Sequence, residues 1–521
     1  MDDDGGLSVS PAPGRLVHGI PGQLPVHAVP FSQRHTLEIE YMSPQAPRVR
    51  LDSDGNPVVF YRQFHREHGQ YDRGWATSAL RHTGQEWSVP KRLTDQLGFP
   101  DSQYGVVPSG PDGSDWVVAA HAGISPPEPP GNPVGRNRLA VESVQLGETF
   151  VEEQPSVHYS LSMEANASSG KAGLETSVRE LTVGAQSYDL LYGDLHRHTA
   201  YSPCMAAGDG DPLDNWRWAA DVEDLDFYAI TDHLETLSYV QWRRVEDLAE
   251  TLADNGRVLP LLGFELGIPP GHTNFFYVDQ AVGHDLRIAC LSSVGEDVRS
   301  VWSKLDAWVP EGKVLAIRHY HTGTHQGDDL IDTYAPKYER VVEVIQTRYE
   351  SPQWVQSLWR KGFRVGVVGS SDHSKIAPFP KVLTGLWLPE GDRSRQSVLE
   401  GLKARRTFAT NGVKMSVLLT ASGDGDGPTL VMGDEGKLDG APRLTANVSG
   451  TRPVERVEFY RNEQLLQVEV VGAAQATVEY VDGDAQPGEH IYWVKALQPA
   501  EREGSRPNYG VAYSSPIWVT I

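Results

Sequence analysis

Between residues 186 and 412, short apolar runs alternate with stretches whose apolar positions recur every three or four residues. The runs predict strands at 191–196, 226–231, 258–264, 274–279, 314–319, 340–346 and 364–369, and the periodic stretches predict helices at 212–222, 238–254, 296–308, 351–361 and 394–405. Strands alternating with helices in this number predict an α/β barrel. On either side the period shortens to two. From 31 to 185, β-prone runs follow turn signals, as where Asp54-Gly55 precedes Val58–Tyr61 and Asp112-Gly113 precedes Trp116–Val118, which predicts a β-rich domain of propeller-like fragments. From 413 to 521, Arg456–Tyr460, Ala476–Tyr480, His490–Val494 and Pro516–Val519 predict a C-terminal β-sandwich. Residues 1–30 are rich in Pro and Gly and lack a period, so they read as a flexible arm.

Composition narrows the function classes. A chain of 521 residues exceeds a single core, and 39% hydrophobic with 22% charged residues suits a folded soluble protein. The net charge of −23 disfavours nucleic acid and anionic lipid as partners. There is no apolar run of the ~20 residues that cross a bilayer, and no basic-then-apolar leader, so a cytoplasmic location with no membrane partner is expected. Cys204 and Cys290 alone make no disulfide framework, which agrees with a reducing compartment.

The chemistry-bearing residues collect at the carboxyl ends of the central strands. Gly193-Asp194-Leu195-His196-Arg197-His198 sets Asp194, His196 and His198 on one side of an extended segment, with two imidazoles close enough to share an ion. His233 follows Asp232 after a second apolar strand, with Asp232 placed to orient it, and Glu265 ends a third strand that is otherwise apolar. His272 follows shortly. Arg318-His319-Tyr320-His321 closes another strand, and Ser370-Ser371-Asp372-His373 closes a last one. So many imidazoles and carboxylates on one mouth would be electrostatically costly without cations, and bound metal is the simplest compensation.

These residues, in this order, resemble the PHP (polymerase and histidinol phosphatase) superfamily of metal-dependent hydrolases. The match runs through Asp-Leu-His-x-His-Thr-x-x-Ser, Thr-Asp-His, Glu, Gly-His, a strand-end His and Ser-Asp-His across about 190–412. Leu402–Asn411 and Tyr513–Trp518 are similar to bacterial multidomain PHP-like proteins of the DUF3604 type. The resemblance implies a distorted (β/α)7 TIM-like barrel at 186–412, and two or three divalent ions, Zn, Mn or Fe. It makes His196, His198, Glu265 and Asp372 ligands of one ion. Glu265 bridges to a second held by His272 and His319, with His321 or His325 as substitutes for His319. His233 and His373 belong to a third. The family's acidic pair after Ser202 is replaced by Pro203-Cys204, so the third ion either gains the Cys204 thiolate or is absent. Asp372 and His373 are adjacent, and only a turn lets both ligate.

The expected activity is phosphoester hydrolysis by metal-activated water, with Asp372, His373 or His321 moving the proton. Arg197, Arg318, Arg348 and Lys375 are candidates to clamp a small anionic substrate. Arg405 and Arg406, at a helix end, are expected to bind carbonyls or bridge domains. Two rival readings keep the scaffold but change its use: a metal-dependent enzyme acting on a non-phosphate substrate, and a non-catalytic binding protein.

Overall fold

The computed structural model describes residues 8–9, 45–66, 73–82, 87–88, 91–93, 103–107, 116–124, 137–145, 159–160, 178–199, 201–202, 212–221, 223–253, 256–319, 332–346, 349–372, 382–425, 427–500 and 509–521. They separate into two compact units, 1–168 with 199–214 and 374–376, and 169–198 with 215–373 and 377–521.

In the first unit, β1 (Gln45–Leu51), β2 (Pro57–Arg66) and β3 (Arg73–Arg81) pair antiparallel, with Val49 opposite Val59 and Phe60 opposite Ala79. The β1–β2 turn is closed by the Asp52 carboxylate, which accepts from the backbone N of Asp54 at 3.0 Å and of Asn56 at 2.7 Å. Gly55 takes the left-handed conformation the turn requires, at φ 82°. A second meander joins β4 (Gln103–Val107), β5 (Trp116–Ile124) and β6 (Asn137–Gln145).

The second unit carries the candidate chemistry. β7 (Gln186–Asp194), β8 (Phe227–Ala229) and β9 (Leu259–Ile268) run parallel. β9 then turns back antiparallel into β10 (Gly271–Tyr277), which pairs antiparallel with β11 (Val314–Arg318). β11, β12 (Glu339–Gln346) and β13 (Gly366–Ser370) are parallel again. On the other flank of β7 lies antiparallel β14 (Leu383–Pro389), followed by antiparallel β15 (Thr407–Thr410).

The distorted (β/α)7 barrel expected from the sequence is corrected by this sheet. Strand far outweighs helix, with six helices among the described residues, and the sheet is large and mixed instead of parallel with a helix after each strand. The physical reason is connection length. Ile268 and Gly271 are joined by two residues, whereas a parallel crossover needs roughly a dozen, so β10 can only fold back on β9. β15 also pairs with β20 (Tyr509–Ser514), so the central sheet continues directly into the C-terminal strands.

Those strands include β16 (Ser416–Ser422), β17 (Arg443–Arg461), β18 (Gln464–Val481), β19 (Glu489–Pro499) and β21 (Ile517–Thr520), all joined antiparallel. Leu191, Phe227, Leu261, Phe276, Leu315, Ile317, Val341, Val368 and Leu386 form one buried cluster. The helix Pro352–Arg360 packs Val355, Leu358 and Trp359 with Trp493, Tyr513 and Trp518 in another. Arg405 donates to the carbonyls of Gly433 and Arg364, and Arg406 to that of Met432, which ties the end of helix Arg395–Lys403 to the C-terminal strands. Among the described residues, no helix is long and apolar enough to cross a membrane.

Candidate metal centre

Strand ends are stitched together before any side chain meets another. Asp194, at the end of β7, accepts from the backbone N of His196 at 3.2 Å and of Ser371 at 3.0 Å. Asp372 N donates to His196 O at 2.8 Å, Thr231 N to Arg197 O at 2.8 Å, and Glu265 N to Asp232 O at 3.1 Å. The segments bearing His196, His233, Glu265 and Asp372 are therefore held in mutual register. Gly193 permits this closeness, because a Cβ there would overlap the Phe227 ring and carbonyl. Asp372 sits at φ 42°, in the left-handed region that Asp tolerates better than most residues, and that turn aims its carboxylate back at the histidines.

The side chains converge on the Glu265 carboxylate, which is 1% exposed. His196 Nε2 lies 3.2 Å from His198 Nε2, 3.4 Å from Glu265 Oε2 and 3.4 Å from Asp372 Oδ1. His198 Nε2 lies 3.1 Å from Glu265 Oε2 and 3.2 Å from Asp372 Oδ1. A tetrahedral ion with bonds of about 2.0–2.1 Å sets its ligand atoms about 3.3–3.4 Å apart, so these separations match the edges of such a polyhedron. Farther along, His233 Nε2 is 3.2 Å from Glu265 Oε2, while His272 Nδ1 at 2.7 Å and His319 Nε2 at 3.2 Å face Glu265 Oε1.

Close approach is not the same as hydrogen bonding here. Glu265 Oε2 and both ring nitrogens of His319 are buried and lack a hydrogen-bond partner, although imidazole nitrogens lie 3.1–3.4 Å from Glu265 Oε2 and Glu265 Oε1 lies 3.2 Å from His319 Nε2. Polar atoms aimed at one another at that distance but misaligned for hydrogen bonds suit a cation between them. Among the described residues, three groups offer the needed donors: His196–His198–Glu265, His233–Glu265–His272 and His196–His319–Glu343. Imidazole nitrogen with carboxylate oxygen fits Zn, Mn or Fe.

The electrostatics agree. Burial pushes the Glu265 carboxyl up, but His196, His198 and His272 overcome this and hold it well below the usual carboxylate range. Asp372 is held low in the same way, by His196 and His198 against burial. Burial works to lower His196, yet Asp372, Glu343 and Glu265 raise it well above its ordinary value. Asp194, wholly enclosed, is raised by burial despite Arg197.

Of the residues singled out in the sequence, His196, His198, His233, Glu265, His272, His319 and Asp372 come together. Cys204, His321, His325, Arg348, His373 and Lys375 lie outside the described residues. Arg197 and Arg318 are placed inside the protein and not on an open rim: Arg197 Nε donates to Tyr228 Oη at 3.1 Å, and Arg318 pairs with Glu339 at 2.8 Å. His233 Nδ1 lies 3.0 Å from Glu235 Oε1, a partner the sequence does not point to. Two residues escape the sequence reading, Glu235 and Glu343. Glu343 carries a signal like that of Glu265, a carboxylate amid apolar strand residues, but no histidine motif beside it draws attention to it.

No family model matches the chain. An uncharacterized protein of Chlamydia pneumoniae is 23% identical over 352 residues, covering 58% of this chain and 54% of its own length. The chain thus spans about half of that relative. Among solved structures, PsfC from Pseudomonas syringae PB-5123 shares 17% identity at a TM-score of 0.31, over 41% of this chain and 89% of PsfC.

Proposed function

We propose that the second unit is a metal-dependent hydrolase holding two or three divalent ions and acting on a small anionic phosphoester. The observation that carries this reading is the buried trio His196 Nε2, His198 Nε2 and Glu265 Oε2, mutually 3.1–3.4 Å apart as ligands of one ion would be, with Asp372 Oδ1 within 3.4 Å of both imidazole nitrogens. The resemblance of the same residues to PHP-type hydrolases supports it independently. Bound ions would supply Lewis-acid activation of water and neutralise developing charge on phosphoryl oxygens. His196 and His198 hold Asp372 in its ionised form, the form in which its oxygen can ligate an ion. Glu265 spans the cluster, with one oxygen towards His196, His198 and His233 and the other towards His272 and His319. His272, with its side chain one-third exposed, is the most exposed of the imidazoles around Glu265.

The test is hydrolysis of phosphomonoesters and phosphodiesters by full-length protein loaded with Zn, Mn or Fe. The reading expects turnover that chelator abolishes, that metal restores, and that His198→Ala lacks. Metal-loaded protein that cleaves no phosphoester would overturn the substrate class. A second reading, metal-dependent hydrolysis of a non-phosphate substrate, gains from the inward engagement of Arg197 and Arg318, the cations nearest the motifs among the described residues. Tight metal binding with every phosphoester inert would favour it.

A further inference from the structure

The candidate ligands are not held equally. His196 lies deepest, and the carboxylate behind it belongs to Glu343 on β12, which is 0% exposed and flanked by Val342 and Val344. Glu343 Oε1 is 2.9 Å from His196 Nδ1 and accepts from Asn274 Nδ2 at 3.3 Å, while Oε2 accepts from Gln346 Nε2 at 2.6 Å. A carboxylate buried in an apolar strand is retained only where donors surround it, and here they come from the segment after β7, from the middle of β10 and from β12 itself. Since the carboxylate can only accept, His196 must present its proton at Nδ1, and Nε2 is left as the atom facing His198, Glu265 and Asp372.

We propose that Glu343 is the positioning residue of this site: clamped by Asn274 and Gln346, it fixes the ring plane and tautomer of His196 and thereby sets the affinity of the site for its ion. The proposal rests on the metal-centre reading above. Glu235 stands in the same relation to His233, at 3.0 Å from Nδ1, but its side chain is 34% exposed. Water competes for that contact, so Glu235 constrains its histidine less than Glu343 does. The two pairs form an inner and an outer carboxylate–histidine unit, both directed at Glu265 Oε2.

The test uses Co²⁺ as the probe, titrated into metal-free full-length protein and followed by its visible absorption, with circular dichroism to establish folding. Glu343→Ala should weaken Co²⁺ by up to about 100-fold and alter the absorption band, and Glu343→Gln, whose amide oxygen still accepts from Nδ1, should recover part of this and lose about tenfold. Glu235→Gln should lose less than Glu343→Gln. If the alanine variant does not fold, the isosteric glutamine variant decides. Folded Glu343 variants that bind Co²⁺ within about threefold of wild type, with an unchanged spectrum, would overturn the proposal and leave the metal centre standing. Wild-type protein that takes up no Co²⁺ would overturn both.

Discussion

Replacing Glu265 with Gln changes the charge at the centre of the cluster and almost nothing else. The side chain keeps its size, so no cavity opens, and it stays 1% exposed between five imidazoles, three within 3.4 Å of Oε2 and two within 3.2 Å of Oε1. Removing one charge from a buried, mutually compensated set costs roughly 3–5 kcal/mol. That cost falls on folding; for ion binding, loss of a carboxylate facing five imidazoles should weaken a divalent ion by about 100-fold or more. The assay is competition between metal-free protein and a chelating dye for Zn²⁺, with folding checked by circular dichroism. A folded Glu265→Gln protein whose Zn²⁺ affinity stays within roughly threefold of wild type would refute the claim that this carboxylate bridges the site.

Other substitutions separate folding from binding. Gly193→Ala drives a methyl into the Phe227 ring beside the His196 segment and should cost about 1–3 kcal/mol in denaturant unfolding, and an unchanged midpoint would contradict the close approach. Glu339→Ala strands the buried Arg318 guanidinium and should destabilise by about 3–5 kcal/mol while leaving metal stoichiometry intact, so coordinate loss of metal in folded protein would count against their independence. Glu246 is raised by burial to about 7 from 4.5, so the folded state holds its proton more tightly than the unfolded one. Its contribution to stability therefore falls as pH rises from about 4.5 to about 7 and is level above, and Glu246→Gln should remove that fall; identical pH dependence of the urea midpoint in both proteins would refute it. Chelation of purified protein should lower the thermal midpoint and re-addition of metal should restore it, because an ion that binds only the folded state stabilises it by mass action, and an unmoved midpoint would argue against a bound ion.

The local elements were legible because their periods are clean. The helix expected at 238–254 spans Tyr239–Ala253, that at 296–308 spans Val298–Trp308, and the strand expected at 314–319 spans Val314–Arg318. What period does not encode is strand direction. β9 and β10 look like successive strands of a parallel sheet until the two-residue connection at Pro269-Pro270 is weighed, and β15 leaves no helical signal between itself and the C-terminal strands it joins. The candidate ligands were visible where polarity interrupts an apolar strand, as with Glu265 and His319. Glu343 breaks its strand in the same way, yet its partners Asn274 and His196 lie 69 and 147 residues away, a distance only the folded register closes. Glu235 was hidden for the opposite reason, since a carboxylate two residues past Asp232-His233 looks like an ordinary turn residue.

The most direct measurement is the metal content, by mass spectrometry, of full-length protein purified without chelator, set against a His196→Ala/His198→Ala variant. The account predicts two or three tightly bound divalent ions in the wild type and their loss from the folded variant. Wild-type protein that carries no metal and takes up none on reconstitution with Mn, Zn or Fe would contradict it, and the cluster around Glu265 would then be a buried polar network serving the fold or a binding partner.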